Sequence, residues 1–501
     1  MGSETQRVFL TDLAADVKNA IVGGPFGSNL VSKDYVELGV PVIRGQNMGG
    51  GKYVSGDFVY VSEEKAQKLK ANLASPGDIV FTQRGTLGQV AIVPNSPWDK
   101  YVVSQSQMKA TIDPEKADVE FLYYYFSSKN AIDYILANAI QTGVPHTNLT
   151  QLKEHPVDLP SIGVQKAIVG ILRTLDNKIA LNRQINTTLE SMAQALFKSW
   201  FVDFDPVIDN ALAAGNEIPD ALQKRAAARA ARREALRQQT NKTANETSNK
   251  TTGATDAASS EQALPETGLS DQRLPPEIQQ LFPDRFVFTE EMGWVPEGWE
   301  VKPLSSIIEL IGGGTPKTSI EEYWGGDIPW FSVVDAPNSS DVFVLNTEKS
   351  ITQSGLDNSS AKLLRKGTTI ISARGTVGKC AVVSRPMAMN QSCYGLVGAN
   401  GNADFFTYYM VLRKVHELQQ RSHGSVFSTI TRDTFKGLNV ADCSALLTQK
   451  FDEQIEYYMD RILCNLEQIQ VLTNLRDSLL PKLLSGQLTI PDAEQQLAEV
   501  L

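Results

Sequence analysis

Apolar residues recur every seven positions in two long stretches of the chain, residues 164–200 and 445–484. The first series is Ile168, Leu175, Asn182, Leu189 and Leu196, interleaved with Ile171, Ile185 and Met192, and the second is Phe451, Tyr458, Asn465, Leu472 and Leu479, interleaved with Ile455, Ile462 and Ile469. A seven-residue period kept over several heptads is typical of coiled-coil helices. We therefore predict two long helices, the first roughly 55 Å in length at 1.5 Å per residue. The alternative is two amphipathic helices that pack separately on their own domains.

The chain also contains two copies of a globular unit. Residues 77–93 read GDIVFTQRGTLGQVAIV and residues 367–383 read GTTIISARGTVGKCAVV. The similarity continues outwards, from GVPVIRGQN at 39–47 to GDIPWFSVVD at 326–335, and from VSQSQ at 103–107 to MNQSC at 389–393. An internal repeat decides the architecture before any local motif is considered. A unit copied once predicts pseudo-two-fold symmetry, which suits a target with two halves.

The composition changes between the two halves, from about residue 205 to residue 290. An Ala/Arg-rich helix is predicted over 221–239, followed by three polar tetrapeptide near-repeats at 241–252. Such a polar tract predicts a disordered linker or surface loop, and Asn and Thr are too poor as helix formers for a stiff rod. The helix carries a stripe of basic side chains, Arg225, Arg229, Arg232, Arg233 and Arg237. This stripe is interpreted either as a solvated face or as a surface that lies beside a phosphate backbone.

Length and composition agree with this plan. A chain of 501 residues corresponds to about three domains, and a hydrophobic content of 42% is ample for packed cores. We find no apolar stretch long enough for a membrane span and no signal-peptide core in MGSETQRVF, so we expect a cytoplasmic protein without a membrane partner. The four cysteines, Cys380, Cys393, Cys443 and Cys464, all lie in the second copy and are expected to be reduced thiols.

Candidate catalytic motifs fail on inspection. The segment GTVGKC at 375–380 resembles a phosphate-binding loop, but Ala373 replaces the first glycine and Cys380 replaces the Ser/Thr that binds Mg²⁺. Residues 312–318, GGGTPKT, lack the glycine before lysine, and the four histidines show no metal-ligand spacing. We predict no metal site and no catalytic residue. The pattern indicates a protein that recognises a target.

Several motifs together resemble the specificity subunit (HsdS) of type I restriction-modification systems, over nearly all of the chain. They are the two copies of G-x-x-(I/V)-(F/I)-(T/S)-x-R-G-T-(L/V)-G, the pairs Gln105-Ser106 and Gln391-Ser392, GWVPEGWEVKPL at 293–304, and the helix endings LNRQINTTLESMAQALFKSWFVDF at 181–204 and LRDSLLPKLLSGQL at 475–488. Each motif is weak alone, but their combination and order are specific. The long Asn/Thr-rich insert departs from the pattern.

The resemblance implies an α+β fold, with two mixed α/β target recognition domains separated by an antiparallel pair of long coiled-coil helices. The resulting division is 1–163 and 291–444 for the recognition domains, 164–204 and 445–488 for the helical spacers, 205–290 for the linker and 489–501 for a C-terminal tail. It implies double-stranded DNA as the target, two methyltransferase (HsdM) subunits and two restriction (HsdR) subunits as partners, and no catalysis by this chain. It also implies that S-adenosylmethionine, ATP and Mg²⁺ bind to the partners, and that this chain binds no cofactor.

The resemblance also implies which residues act. We expect DNA contacts from the two Arg-Gly-Thr and Gln-Ser motifs: Arg84, Gly85, Thr86, Gln105, Ser106, Arg374, Gly375, Thr376, Gln391 and Ser392. Glycine permits close backbone approach and arginine is the commonest base-reading side chain, although the two loops could instead be structural turns whose arginines bond local carbonyls. We expect the helix pair or its partners to be held by Asn182, Ile185, Leu189, Met192, Leu196, Asn465, Ile469, Leu472, Leu475 and Leu479. The two asparagines, each central in its heptad series, are predicted to approach each other across the pair, unless each faces solvent or a partner helix.

Two units held apart by a coiled coil would read two half-sites, centred about 10 bp apart if both lie on one side of the duplex. The net charge of −10 argues against tight DNA binding by the subunit alone, so we expect the methyltransferases to supply phosphate contacts. A free-standing modifying enzyme is disfavoured because methyltransferase motifs are missing. A recogniser in a modification-only or non-restriction phage-defence complex remains the alternative.

Overall fold

A computed structural model of the protein describes residues 5–141, 143–248, 274–338, 340–422 and 429–500. The chain forms two compact units, Met1–Ile179 with Gln470–Leu501, and Ala180–Ile469. Two helices of 40 residues, α5 (Ile162–Phe201) and α13 (Ala445–Leu484), each contribute to both units. None of the helices among the described residues is long and apolar enough to cross a membrane. None of the four cysteines, all of which are described, forms a disulfide.

The first unit is built on two sheets. Its strands are β1 (Gln6–Phe9), β2 (Ile21–Gly23), β3 (Tyr35–Val36), β4 (Val40–Ile43), β5 (Val59–Val61), β6 (Leu73–Ala74), β7 (Ile79–Thr82), β8 (Val90–Ile92), β9 (Tyr101–Val103), β10 (Gln107–Ala110) and β11 (Pro156–Leu159). Its other helices are α1 (Glu63–Lys68), α2 (Val119–Ser127), α3 (Lys129–Ala137), α4 (Leu149–Lys153) and α14 (Ile490–Ala498). One sheet has the order β2-β10-β7-β8, the other has the order β3-β5-β4-β9-β6, and β1 pairs with β11.

The second unit repeats part of this topology. Its strands are β12 (Phe286–Thr289), β13 (Gly293–Pro296), β14 (Glu300–Pro303), β15 (Ile308–Gly312), β16 (Trp324–Phe331), β17 (Phe343–Val344), β18 (Lys349–Ile351), β19 (Thr369–Ser372), β20 (Cys380–Val383), β21 (Ala388–Met389), β22 (Cys393–Gly398) and β23 (Asn439–Asp442). Its other helices are α6 (Asp205–Ala214), α7 (Asp220–Ser248), α8 (Pro276–Gln279), α9 (Leu304–Ile307), α10 (Gln353–Asp357), α11 (Asp404–Ser422) and α12 (Arg432–Lys436). One of its sheets has the order β15-β22-β19-β20-β17, whose first four strands match β2-β10-β7-β8, and the other has the order β18-β16-β21. The duplicated α+β fold read from the sequence is confirmed.

The two sheets of each unit contribute buried apolar side chains to a shared core. In the first unit, Val80 and Ala91 of one sheet share a core with Ile43 and Tyr101 of the other. In the second unit, Ile370 and Ala381 share a core with Phe331 and Met389. Strands covered on both faces read as continuous apolar runs rather than as alternating ones, which explains the segments IVFT at 79–82 and TIIS at 369–372.

The two long helices are confirmed, and they extend through Gly170 and Pro481. Within the second unit they run antiparallel, because Asn182 bonds to Gln468, whereas Asn186, which comes later on α5, bonds to Asn465, which comes earlier on α13. Within the first unit Asp176 of α5 bonds to Arg476 of α13. Leu189 and Leu196 of α5 lie in one core with Phe451 and Ile455 of α13. The helices are therefore packed against each other, and the alternative of two separately packed helices is wrong for the second unit.

The segment after α5 differs from the expected linker. Helix α6 packs its Val207, Ile208 and Ala211 into the interior. Helix α7 continues to Ser248, so its backbone includes the first two of the three tetrapeptide near-repeats. Once an Ala-rich helix is nucleated, each weak former costs only about 0.5 kcal/mol, which does not stop propagation. Residues 249–273, with the third near-repeat, lie outside the described residues.

Both readings of the arginine stripe are wrong for three of its members, because these arginines bind acidic side chains of the same unit. Arg225 donates two hydrogen bonds to Asp205, at 2.6 and 2.9 Å, and Arg229 donates two to Asp209, at 3.0 and 2.5 Å. Arg233 donates to the carbonyl oxygen of Asp209 at 3.2 Å. These bidentate pairs fix α7 against α6. The side chain of Arg237 lies outside the described residues.

Candidate nucleic-acid interface

In the first unit, the Arg-Gly-Thr motif lies in the loop of a β-hairpin. Residues 83–89 join the antiparallel strands β7 and β8. The backbone of Gly85 has φ of +97°, a left-handed conformation that favours glycine. Arg84, Gly85 and Thr86 are all exposed. The hairpin turns the arginine side chain out from a buried, four-stranded sheet, which is the placement expected of a residue that meets an external ligand.

The Gln-Ser motif lies directly beside this loop. The amide nitrogens of Gln83 and Arg84 donate to the carbonyl oxygen of Ser106, at 2.7 and 3.3 Å. These bonds continue the ladder in which Thr82 of β7 faces Gln107 of β10. Two motifs about 20 residues apart in the sequence are thus joined at one end of one sheet. The structure brings together all five candidate residues of the first copy.

A third segment, which the sequence reading missed, completes the cluster. The side chain of Gln105 donates to the carbonyl oxygens of Gly27 and, at 2.9 Å, Leu30. Gly24 passes so close to the Gln-Ser loop that a Cβ atom there would lie 1.9 Å from the carbonyl oxygen of Ser104. The signal was available as a pair of glycines at 23–24 and 312–313, which in each copy consists of the last residue of β2 or β15 and the residue after it.

The second unit assembles the same three segments. The amide nitrogen of Ala373 donates to the carbonyl oxygen of Ser392 at 2.7 Å, which joins the loop 373–379 to the Gln-Ser motif. The hydroxyl group of Thr315 donates a hydrogen bond to the side-chain oxygen of Gln391. At Gly313 a Cβ atom would lie 1.8 Å from the carbonyl oxygen of Asn390. Arg374, Gly375 and Thr376 are exposed, as in the first copy.

The arginines of the two motifs, Arg84 and Arg374, are both exposed residues. Within the described ranges, the side chains of Arg84 and Arg374 make no hydrogen bond or ion pair, although their backbones form bridges with His146 and Thr429. The alternative in which these arginines bond local carbonyls finds no support among those residues. Two exposed, unpaired cations on rigid hairpins are suited to bind phosphate oxygens or the acceptor edges of bases.

The candidate helix-pair residues lie in or against the interior. Those fully buried are Asn182, Leu189, Leu196, Asn465, Leu472 and Leu479, and those half-buried are Ile185, Met192, Ile469 and Leu475. The two central asparagines do not hydrogen-bond to each other among the described residues, and each bonds instead to a polar side chain of the opposite helix. Asn182 donates to Gln468 at 2.8 Å, and Asn465 donates to Asn186 at 2.8 Å. The actual partners lie about one helical turn away, because the offset between two antiparallel helices is set by packing and not by heptad numbering.

Comparison with known proteins agrees with this geometry. The family model of the type I restriction modification DNA specificity domain matches residues 29–191 and 296–441, which is more than half of the chain. The chain belongs to the family of type I restriction-modification specificity subunits. Both matched segments contain the exposed hairpin loop, the Gln-Ser motif and, in the first, the beginning of the long helix.

Individual specificity subunits are similar over most or part of the chain. The HindI specificity subunit of Haemophilus influenzae is 28% identical over 455 residues, covering 87% of this chain and 92% of that protein. The MjaIX specificity subunit of Methanocaldococcus jannaschii is 30% identical over 184 residues, covering 36% of this chain and 43% of that protein. A crystal structure of the type I S subunit from M. genitalium shares the fold, with a TM-score of 0.52 at 14% identity over 96% of each chain.

Proposed function

We propose that this specificity subunit recognises a bipartite, asymmetric DNA target, and that each unit reads one half. The observation that carries the proposal is the duplicated cluster in which an exposed arginine hairpin is bonded to the Gln-Ser loop, Arg84 beside Ser106 and Arg374 beside Ser392. The frameworks are alike, but the side chains that follow the glycine pair differ, as in Phe26-Gly27 against Thr315-Pro316. Different side chains on one framework would select different bases, which makes the target asymmetric.

We further propose that the subunit is not catalytic and serves as the assembly platform of a type I restriction-modification complex. Two methyltransferase (HsdM) subunits would dock along the helix pair and two restriction (HsdR) subunits would join them, bringing S-adenosylmethionine, ATP and Mg²⁺. Support comes from large apolar side chains exposed on the long helices, including Leu181 at 49% and Tyr457 at 64%. The complex would act in the cytoplasm, where the chromosome is accessible.

Methylation mapping after domain exchange tests this function. The full-length chain is expressed with its methyltransferase subunits, and residues 1–163 are replaced by the equivalent unit of another specificity subunit. We expect one half of the methylated sequence to change and the other half to remain. The reciprocal exchange of residues 291–444 is the matched control and should alter the other half. A complex that methylates without sequence preference, or an exchange that alters both halves, would contradict the proposal.

A further inference from the structure

A short turn recurs in both units immediately after a central strand of the second sheet. In the first unit it follows β4 and spans Gly45–Asn47, with Arg44 as its first flanking residue. In the second unit it follows β16 and spans Val333–Asp335, with Ser332 in the same flanking position. In both units the strand before the turn pairs in parallel with the strand that leads into the Gln-Ser motif, β9 or β21. The turn therefore lies at the same end of the unit as the exposed hairpin.

The framework of the turn is the same in the two units. The amide nitrogen of Arg44 donates to the side chain of Asn47 at 3.0 Å, and that of Ser332 donates to the side chain of Asp335 at 2.7 Å. The side chains at the first three positions of this framework differ completely, with Arg44, Gly45 and Gln46 in the first unit and Ser332, Val333 and Val334 in the second. A backbone held constant while its outer side chains vary is the arrangement expected of a specificity determinant.

Arg44 is placed to meet a ligand. It lines an open pocket together with Tyr35, Gln105 and Ser106. Its Nε atom is buried and has no hydrogen-bond partner in the described part of the chain. A buried donor without an acceptor is unfavourable, so a rotation of the half-buried guanidinium toward an acceptor that enters the pocket would be favoured. Ser106 connects this pocket to the hairpin, because its carbonyl oxygen accepts the hydrogen bond from the amide of Arg84.

We propose that the turn at residues 44–47 is a base-reading element of the first unit and that Arg44 recognises a guanine. This inference rests on the proposed function and adds a specificity-determining residue to it. The guanidinium presents two parallel donors, which match the O6 and N7 acceptors of guanine in the major groove. The second unit has no charged side chain between the fixed points of its turn, and Val334 is 67% exposed there. The two turns therefore select different bases.

The experiment uses the complex assembled with its methyltransferase subunits and duplexes that each carry one altered base pair. The unchanged complex should prefer G·C at one position of the first half-site by about 5- to 150-fold, the range for a good bidentate contact. Arg44→Ala should abolish that preference at that position alone and leave the second half-site unchanged. Arg44→Lys should keep part of it, because lysine also contacts the guanine acceptors. Arg7→Ala, an exposed arginine on β1 of the same unit, is the matched control and should change nothing.

The outcomes separate this proposal from the proposed function. If Arg44→Ala lowered the affinity equally for every duplex, Arg44 would be a phosphate contact. If Arg44→Ala left the base preferences unchanged, Arg44 would not lie in the interface. Either result overturns the inference. If the unchanged complex shows no sequence preference, the proposed function itself fails. Thermal melting of each variant checks folding, and should Arg44→Ala unfold the unit, Arg44→Lys and Arg44→Gln, which keep most of the aliphatic stem, decide the question.

Discussion

Asn465 donates a 2.8 Å hydrogen bond to Asn186 in the buried layer between the two long helices. The exposed fractions of the two residues are 2% and 0%. Asn186 in turn donates to the carbonyl oxygen of Ile462 at 3.5 Å. A buried amide pair is less stabilising than apolar packing, but it penalises a shifted register, in which each amide would lie against apolar side chains without a partner.

Removing one member of the asparagine pair should destabilise the protein more than removing both. Asn465→Leu leaves the side-chain oxygen of Asn186 buried without its donor, so we expect a loss of about 1–3 kcal/mol in the free energy of unfolding. The double variant Asn186→Leu with Asn465→Leu should be close to the unchanged protein or above it. Urea unfolding of the full chain measures the free energy of unfolding of the single and double variants. Gln184→Leu, at an exposed position of α5, is the control. Equal losses in the single and double variants would show that the amides do not act as a pair.

The sequence predicted local elements well and their long-range partners poorly. The heptads predicted both helices, and the repeat predicted two globular units of like architecture. The partner of Asn465 was missed because sliding one helix by a single turn, about 5.4 Å, changes every contact and leaves the periodicity unaltered. The carboxylate of Asp205, which lies 20 residues before Arg225, was missed for a similar reason. The packing of α7 against α6 depends on tertiary contacts, and no motif in either segment predicts it.

The exposed arginines should affect DNA affinity without affecting stability. Arg84→Ala and Arg374→Ala should each weaken DNA binding by the assembled complex, because each removes a cation with no partner among the described residues. If the contact is to phosphate, the dependence of log K on log salt should fall by about one unit of slope. Filter binding at several salt concentrations measures this, and melting temperatures should stay unchanged.

Exposed arginines outside the two clusters provide the comparison for this prediction. Arg7 precedes the main sheet of the first unit, and Arg285 precedes β12 in the second unit. Alanine at either position should leave the affinity and its salt dependence as they are. If both control variants weakened binding as much as Arg84→Ala and Arg374→Ala, the effect would reflect overall charge and not the hairpins.

Two adjacent glycines of the second unit should respond differently to alanine. At Gly313 the added methyl would lie 1.8 Å from the carbonyl oxygen of Asn390, so the Gln-Ser loop must shift. Overpacking of this kind costs about 1–3 kcal/mol. At Gly312 nothing lies within 4 Å of the added Cβ and the substitution should be tolerated. Calorimetry of the two variants tests the difference, and a Gly313→Ala protein as stable as Gly312→Ala would show that the close approach is not required.

The carboxylate of Asp205 should stabilise the protein at neutral pH and lose this effect in acid. Burial raises the pKa of Asp205, but the hydrogen bond from Arg225 and the charge of Arg229 outweigh it, so the pKa lies below its ordinary value. The folded state therefore binds fewer protons than the unfolded state as the pH falls below about 4. The stabilisation is complete above the unfolded pKa and is lost as the pH falls through the folded one.

Asp205→Asn should lower the free energy of unfolding by about 1.5–3 kcal/mol at pH 7, as expected for hydrogen bonds to a charged group. The gap between variant and unchanged protein should narrow below about pH 4, whereas the exposed Glu217→Gln control should show no gap at either pH. A gap that stays constant from pH 7 to pH 3 would mean that Asp205 acts through shape and not through its charge.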